Sequence, residues 1–314
     1  MNTPIEARLT LGISSRVLFQ LSDSHRVFME QGLESYRQYQ IAREKDVLEP
    51  GVGFDLVHKL LKINELSDNR ARIEVVLISR NSPDTGLRVL DSAKALGLNI
   101  SRAIFCGGRN AYRYAQPLGV HLFLSANVLD VNGALREGVP SAVLLPSNRS
   151  EDSQVKAPGP CSEVRVAFDG DAVLFHAGSE HIFRDGGLEA FIANEEQYTD
   201  QPMQYGPFFP FAKALQTLQA IFPPDQCPIR TALVTARSMP THKRAVLTLR
   251  RWNIRLDEAM FLGSDEKAAF LQAFGADIFF DDKLENCRQA AELTTAAHVP
   301  EVSTGHTGDA PSLL

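Results

Sequence analysis

Residues 166–175 read VAFDGDAVLF, an apolar run that ends in two acids one residue apart. Residues 10–19 read TLGISSRVLF, with the same VLF ending and no acid. In an extended chain, residues i and i+2 face the same side, so Asp169 and Asp171 both reach one pocket at the carboxyl end of a strand. Open α/β sheets place their ligands at that end. A DxD pair alone reads as a solvated turn, so its meaning depends on the rest of the chain.

Apolar runs with the length and β-branched content of buried strands recur on both sides of this stretch. They are RLTLGI (8–13), IEVVLIS (73–79), HLFLS (121–125), SAVLL (141–145), VRVAF (164–168), TALVT (231–235) and ADIFFD (276–281). Amphipathic stretches fall between them, most clearly DTGLRVLDSAKALG (84–97) and HKRAVLTLRRWN (242–253). Strand–helix alternation of this kind predicts a mostly parallel α/β sheet with helices on both faces. The Pro-, Ser- and charge-rich segment 146–163 reads as a linker. The tail beyond residue 300 has no apolar period and reads as disordered.

The halves resemble each other. A shift of 156 residues lays Phe19 on Phe175, Phe105 on Phe261, Gly107 on Gly263, Gly119 on Gly275 and Phe123 on Phe279. A shift of 155 lays FMEQGLESY (28–36) on FRDGGLEAF (183–191) and Gly51 on Gly206. A near-constant offset over most of each half predicts a tandem duplication. The expected organisation is an α/β domain without the acid pair at 1–145, a linker at 146–162, a second α/β domain at 163–299 that carries it, and a tail at 300–314.

The chain has 314 residues, 44% of them hydrophobic, and a formal net charge of −6. That composition is ordinary for globular proteins, and it gives no basic face for nucleic acid. No apolar run is long enough for a bilayer, and the N-terminus lacks a secretory pattern. The four cysteines contain no CxxC pair, as in a reducing compartment. A cytoplasmic protein with no membrane or nucleic-acid partner is expected.

Four features of the second half carry chemistry. The first is Asp169 with Asp171. In ALVTARS a strand delivers Thr235 into a turn whose backbone N–H groups suit a phosphate, with Ala236 and Arg237 following. FLGSDEKAAF carries Lys267, a compact positive charge for a phosphoryl oxygen. In ADIFFDDK a strand ends in Asp281 and Asp282, which with Asp169 would form a hard-oxygen site for Mg²⁺. Taken alone, the DxD pair, Thr235 and Lys267 read better as a solvated turn, a helix cap and a solvated lysine, and the Asp281–Asp282 pair reads also as a helix cap.

Taken in order, the four resemble the haloacid dehalogenase superfamily of phosphatases. VAFDGDAVLF, VLISRNSPDTGLRV, FLSAN, LVTARS and FFDD are similar to the cytosolic type I 5′-nucleotidases, over most of residues 10–290. The resemblance implies tandem Rossmann-like domains, the second (163–299) catalytic with a small cap inserted at about 176–228, and Mg²⁺-dependent hydrolysis of a nucleoside 5′-monophosphate. It implies Asp169 as nucleophile, Asp171 as acid and then base, Thr235 and Lys267 on the phosphoryl oxygens, and metal held by Asp169, Asp171 (through its carbonyl), Asp281 and Asp282. Ala236, Arg237, Phe208 and Phe209 join the substrate site, the two aromatics as a base platform or as core. The chain departs from the vertebrate pattern after VLF: it has His-Ala-Gly-Ser-Glu at 176–180 in place of a Ser-Asp-Glu run. Cap details and substrate preference therefore stay open. The alternatives are another phosphatase of the superfamily or a non-catalytic nucleotide-binding protein.

In the first half, a shift of 156 sets Ile13 opposite Asp169, Ser15 opposite Asp171, Ala111 opposite Lys267, and Ser125 and Ala126 opposite the metal acids. That half is expected to be catalytically inert. It is either a scaffold or, through Ser79, Arg80, Arg109 and Arg113, an anion site for a nucleotide effector. A homo-oligomer is expected.

Overall fold

The computed structural model describes residues 7–68, 70–146, 163–239 and 241–301. The expected linker and most of the expected tail lie outside them. In the first half the strands are β1 (Ala7–Ile13), β2 (Ala71–Ser79), β3 (Arg102–Phe105), β4 (Leu122–Ser125) and β5 (Ser141–Leu144). The second half has β6 (Val164–Phe168), β7 (Ile229–Thr235), β8 (Glu258–Phe261), β9 (Ile278–Asp281) and β10 (Ala296–His298). The helices are α1 (Ser15–Leu18), α2 (Ser22–Ala42), α3 (Phe54–Leu66), α4 (Pro83–Ala95) and α5 (Val128–Arg136), then α6 (Gly178–Gln197), α7 (Phe209–Gln219), α8 (His242–Arg251), α9 (Lys267–Phe274) and α10 (Leu284–Ala290).

All ten strands join one sheet, in the order β3-β2-β1-β4-β5-β10-β9-β6-β7-β8. Each half thus uses the same internal order, read outward from the seam between β5 and β10. Those two strands pair antiparallel, and the other ladders are parallel. Parallel strands buried on both faces need continuous apolar runs, and β1, β2, β6 and β7 supply them. The short strands β3, β8 and β10 escape a reading by apolar runs. Two of them sit at the sheet edges and keep one or more charged residues (Arg102, Glu258).

One core runs across a whole face of the sheet. It joins Leu9, Leu11, Ile13 and Val75 of the first half to Phe168, Leu233 and Phe280 of the second. Helix α3 packs on β2 and also touches β6, while α7 packs on β1. Between the halves, Lys59 Nζ reaches Asp277 at 2.6 Å, and Arg70 donates to the Ile221 carbonyl at 2.9 Å. The opposite face carries two separate smaller cores, one around Phe123 and Ile78, the other around Phe279 and Val234.

Local details recur between the halves. Helices α2 and α6 are each kinked at a glycine, Gly32 (φ 83°) and Gly187 (φ 74°). An isolated bridge pairs Phe19 with Pro50, and another pairs Phe175 with Tyr205. Gly51 N–H donates to the Leu18 carbonyl at 2.9 Å, and Gly206 N–H to the Leu174 carbonyl at 2.8 Å. A Cβ at Gly206 would stand 2.3 Å from the Val173 oxygen, and one at Gly51 2.6 Å from the Val17 oxygen. Only glycine permits either approach.

Strand pairing corrects the alignment by one residue at the first strand. Ile13 lies beside Leu124 as Phe168 lies beside Phe280. Ser14 N–H donates to the Leu124 carbonyl at 2.9 Å, as Asp169 N–H donates to that of Phe280 at 2.8 Å. Ser14, not Ile13, therefore stands opposite Asp169. The loop after β6 holds one more residue before the shared VLF than the loop after β1, so a single offset fails there.

The insertion expected at 176–228 divides into two kinds of structure. In α6 residues 184–189 are exposed, and the helix becomes buried at Phe191 and Glu195. Helix α7 is core: Phe211, Leu215 and Leu218 are at most 4% exposed.

Candidate active site

The carboxyl ends of β6, β7 and β9 converge with the start of α9. Asp169 follows β6 and is 6% exposed. Its Oδ1 accepts from Gly170 N–H at 2.7 Å, which fixes the carboxylate against its own turn. Lys267 opens α9, and its Nζ lies 2.9 Å from Asp169 Oδ1 and 2.7 Å from Asp281 Oδ2. Asp281 ends β9 fully buried, and also accepts from Lys283 N–H at 2.7 Å and Asn286 Nδ2 at 3.0 Å. Ligand atoms of Asp169, Asp281 and Asp282 all lie within 4.8 Å of one another.

Burial pushes the Asp169 carboxyl up to about 7, with Lys267 pulling it down and Asp281 pushing it further up. Burial works against the Lys267 ammonium too, but Asp169 and Asp281 outweigh it and hold the group above its ordinary range. Lys267 is therefore a fixed positive charge between two acids. Three buried or half-buried carboxylates, with no thiol or imidazole among them, form a donor set suited to a hard divalent cation such as Mg²⁺.

Thr235 ends β7, 1% exposed, and its Oγ1 accepts from Arg237 N–H at 3.2 Å. A Cβ on Gly170 would stand 3.2 Å from that oxygen, so Thr235 borders the Asp169–Asp171 turn. Ala236 is exposed beside it. Asp171 does not face the acid group. Both its oxygens accept from Arg237, at 2.8 Å from Nε and 2.7 Å from Nη2. Arg237 Nη1 in turn donates to Glu195, a residue on α6. Phe208 is fully buried against Phe280 and Phe211, which removes it as a platform for a base. Phe209 is half-buried against Tyr205 and Trp252, with ring centroids at 3.9 and 5.2 Å.

Glu195 and Asn286 escaped the sequence reading. Asn286 has no motif of its own: it reaches Asp281 only because α10 starts directly behind β9. Glu195 is one of several acids in GLEAFIANEEQY, and burial alone distinguishes it.

In the first half the matching strand ends carry Ser14, Ser15, Ser79 and Ser125. Ser15 and Ser79 hydroxyls meet at 2.9 Å. Arg80 binds Asp130 through two bonds, at 2.8 and 2.9 Å. Arg109 and Arg113 are exposed, with Arg113 donating to Tyr114 Oη. Three of the four groups expected to bind an anion, Ser79, Arg80 and Arg113, are thus already engaged by protein groups.

Fold and site together define a class: an α/β protein whose strand ends present a buried lysine among carboxylates, suited to a hard cation and a phosphate-like anion. A family model described as 5′-nucleotidase matches residues 1–305. The chain belongs to the 5′-nucleotidase family, whose members are hydrolases. It is 34% identical over 300 residues to human cytosolic 5′-nucleotidase 1B. The match covers 92% of this chain and 48% of that protein, so the chain spans about half the length of its curated relative. No solved structure matches the chain. Among the described residues, no helix is long and apolar enough to cross a membrane.

Proposed function

We propose that this protein hydrolyses nucleoside 5′-monophosphates to nucleoside and phosphate through an aspartyl-phosphate. The observation that carries the reading is Lys267, buried between Asp169 and Asp281 with Asp282 adjacent. In the first step an Asp169 carboxylate oxygen attacks phosphorus and the P–O5′ bond breaks. Asp171 protonates the departing oxygen. In the second step it takes the proton from the water that attacks phosphorus and frees Asp169. Lys267 and the turn after Thr235 hold the non-bridging oxygens as their charge redistributes. Mg²⁺ bound by Asp169, Asp281 and Asp282, with the Asp171 carbonyl, would supply the positive charge that lets a carboxylate approach a phosphate dianion.

Asn286 and Lys283 N–H hold Asp281 in place behind these groups. The exposed Tyr205, stacked on the half-buried Phe209, offers an aromatic surface for a base. A cytoplasmic location is part of the reading, supported by the relative's name.

The halves are read as tandem copies, at about 1–145 and 163–299, with the first inert. The repeated strand order, kinked helices and glycine approaches support this. The first half is then a scaffold. A metal-independent nucleotide site lost in Arg109→Ala would show that it binds an effector instead.

The test is inorganic phosphate release from AMP, IMP, GMP, CMP, UMP and glucose 6-phosphate, with and without Mg²⁺. Release from the nucleotides alone, dependent on Mg²⁺, is expected. Release from the sugar phosphate alone would replace the nucleotide reading with another small-molecule phosphatase.

A further inference from the structure

Arg237 is a buried cation shared by two acids. Its side chain is 1% exposed, between the bidentate carboxylate of Asp171 and Glu195, which is itself 1% exposed. The guanidinium also faces the rings of Phe191 and Phe175, at 5.2 and 5.8 Å from their centroids. Glu195 Oε1 accepts from Arg244 Nη1 at 2.8 Å. Glu195 and Phe191 lie on α6, Arg244 on α8 and Asp171 on the loop after β6, so the cluster ties three elements together.

The first half repeats this cluster with three of its four charged groups replaced by uncharged ones. A shift of 155 lays Gln40 on Glu195, and a shift of 156 lays Arg88 on Arg244, Asn81 on Arg237 and Ser15 on Asp171. The geometry follows: Arg88 Nη1 donates to Gln40 Oε1 at 3.1 Å, as Arg244 Nη1 donates to Glu195. Gln40 is 1% exposed, as Glu195 is. Where the acid beside the nucleophile position is absent, the guanidinium and its second carboxylate are absent too. The helix-to-helix arginine contact remains, so packing alone does not require a glutamate there.

The two oxygens of Asp171 are both committed to Arg237, and neither is turned to a departing oxygen. To act on substrate, Asp171 must leave the guanidinium. A buried cation stripped of its counterion is strongly disfavoured. We propose that Glu195 is a positioning residue that acts through Arg237: it keeps the guanidinium neutralised when Asp171 swings to the leaving oxygen. Glu195 therefore sets how readily Asp171 protonates the leaving group, and it links that step to the placement of α6. This rests on Asp171 being the acid of the nucleotidase reading.

The test compares two substrates that share base and ribose: AMP and its 5′-deoxy-5′-thio analogue, in which sulfur replaces the bridging oxygen. A thiolate leaves with far less need of a proton than an alkoxide. In Glu195→Gln, kcat on AMP should fall by about tenfold or more, since general acid catalysis is worth about 10²–10⁴-fold. On the thio analogue kcat should change by less than about threefold. The ratio of the two rates is independent of how much of the preparation is folded, and Gln40 shows that glutamine fits the position.

The shift in ratio should disappear when Glu195→Gln is made in an Arg237→Gln background, because no buried cation is then left to neutralise. Gln40→Ala, at the matching place in the first half, should leave the ratio unchanged. Equal losses on both substrates in Glu195→Gln, or the same ratio shift with Arg237 absent, would overturn the inference while the nucleotidase reading stands. A wild-type protein that hydrolyses neither substrate would overturn both.

Discussion

Lys267 Nζ lies 2.9 Å from Asp169 and 2.7 Å from Asp281, and all three side chains are less than 10% exposed. One ammonium therefore serves two buried carboxylates. Lys267→Gln should abolish detectable turnover and, in EDTA, should lower stability by about 3–5 kcal/mol, the range for a buried charge that loses its partner. Added Mg²⁺ should restore part of the lost melting temperature, because it would neutralise the same acids. A variant that melts like the wild type in EDTA would show that Lys267 is not their counter-charge.

The Asp169 carboxyl gives a pH dependence. Its ordinary value is 3.8, and burial pushes it to about 7 in the folded protein. The folded state thus holds a proton that the unfolded state has lost, and stability falls as pH rises from about 4 to 7. In EDTA, the melting temperature of the wild type should drop across this window more steeply than that of Asp169→Asn. Parallel curves would mean that Asp169 is not raised. The same variant should be folded and inactive on AMP, and appreciable turnover would exclude the covalent step.

Gly206 and Gly51 invite a paired experiment. A Cβ at Gly206 would press on the backbone of Val173–Phe175, the loop that continues from Asp169 and Asp171. Gly206→Ala should destabilise by about 1–3 kcal/mol, as overpacking does, and should also depress kcat. Gly51→Ala, at the matching place on Val17–Phe19, should destabilise similarly and leave the kcat of the folded fraction unchanged. Circular dichroism melts beside active-site-titrated rates would separate the two effects.

Arg80 and Asp130 form a bidentate pair with Asp130 nearly buried, its side chain 4% exposed. Arg80→Met should lower the melting temperature and leave kcat and KM for AMP in place. A changed KM would give the first half a part in substrate binding that its ion pair does not suggest.

The sequence made the parallel sheet legible because the inner strands are continuous apolar runs. It also brought Asp169, Lys267, Asp281 and Asp282 forward, since each is tied to a strand end or to the turn behind one. The edge strands β3 and β8 and the seam strand β10 were hidden, because a short half-buried strand such as RAIF has no distinctive pattern. The role of Asp171 in the resting site was hidden for another reason. Its partner Arg237 lies 66 residues away and was grouped with substrate, while Glu195 sits on a helix whose exposed half dominates its periodicity. Phe208 was ambiguous in sequence because an aromatic in a run of aromatics suits a core and a binding surface equally.

The antiparallel pairing of β5 with β10 makes each half depend on the other. Backbone hydrogen bonds cross from one half to the other at Leu144 and Val143, and the main core lies over that seam. If the first half were cut away, β10 would present a bare edge ready to pair with another chain, and α7 would lose the strand it packs on. The first half is in this sense an internal chaperone that never departs. It caps an adhesive edge and holds the shape of its neighbour.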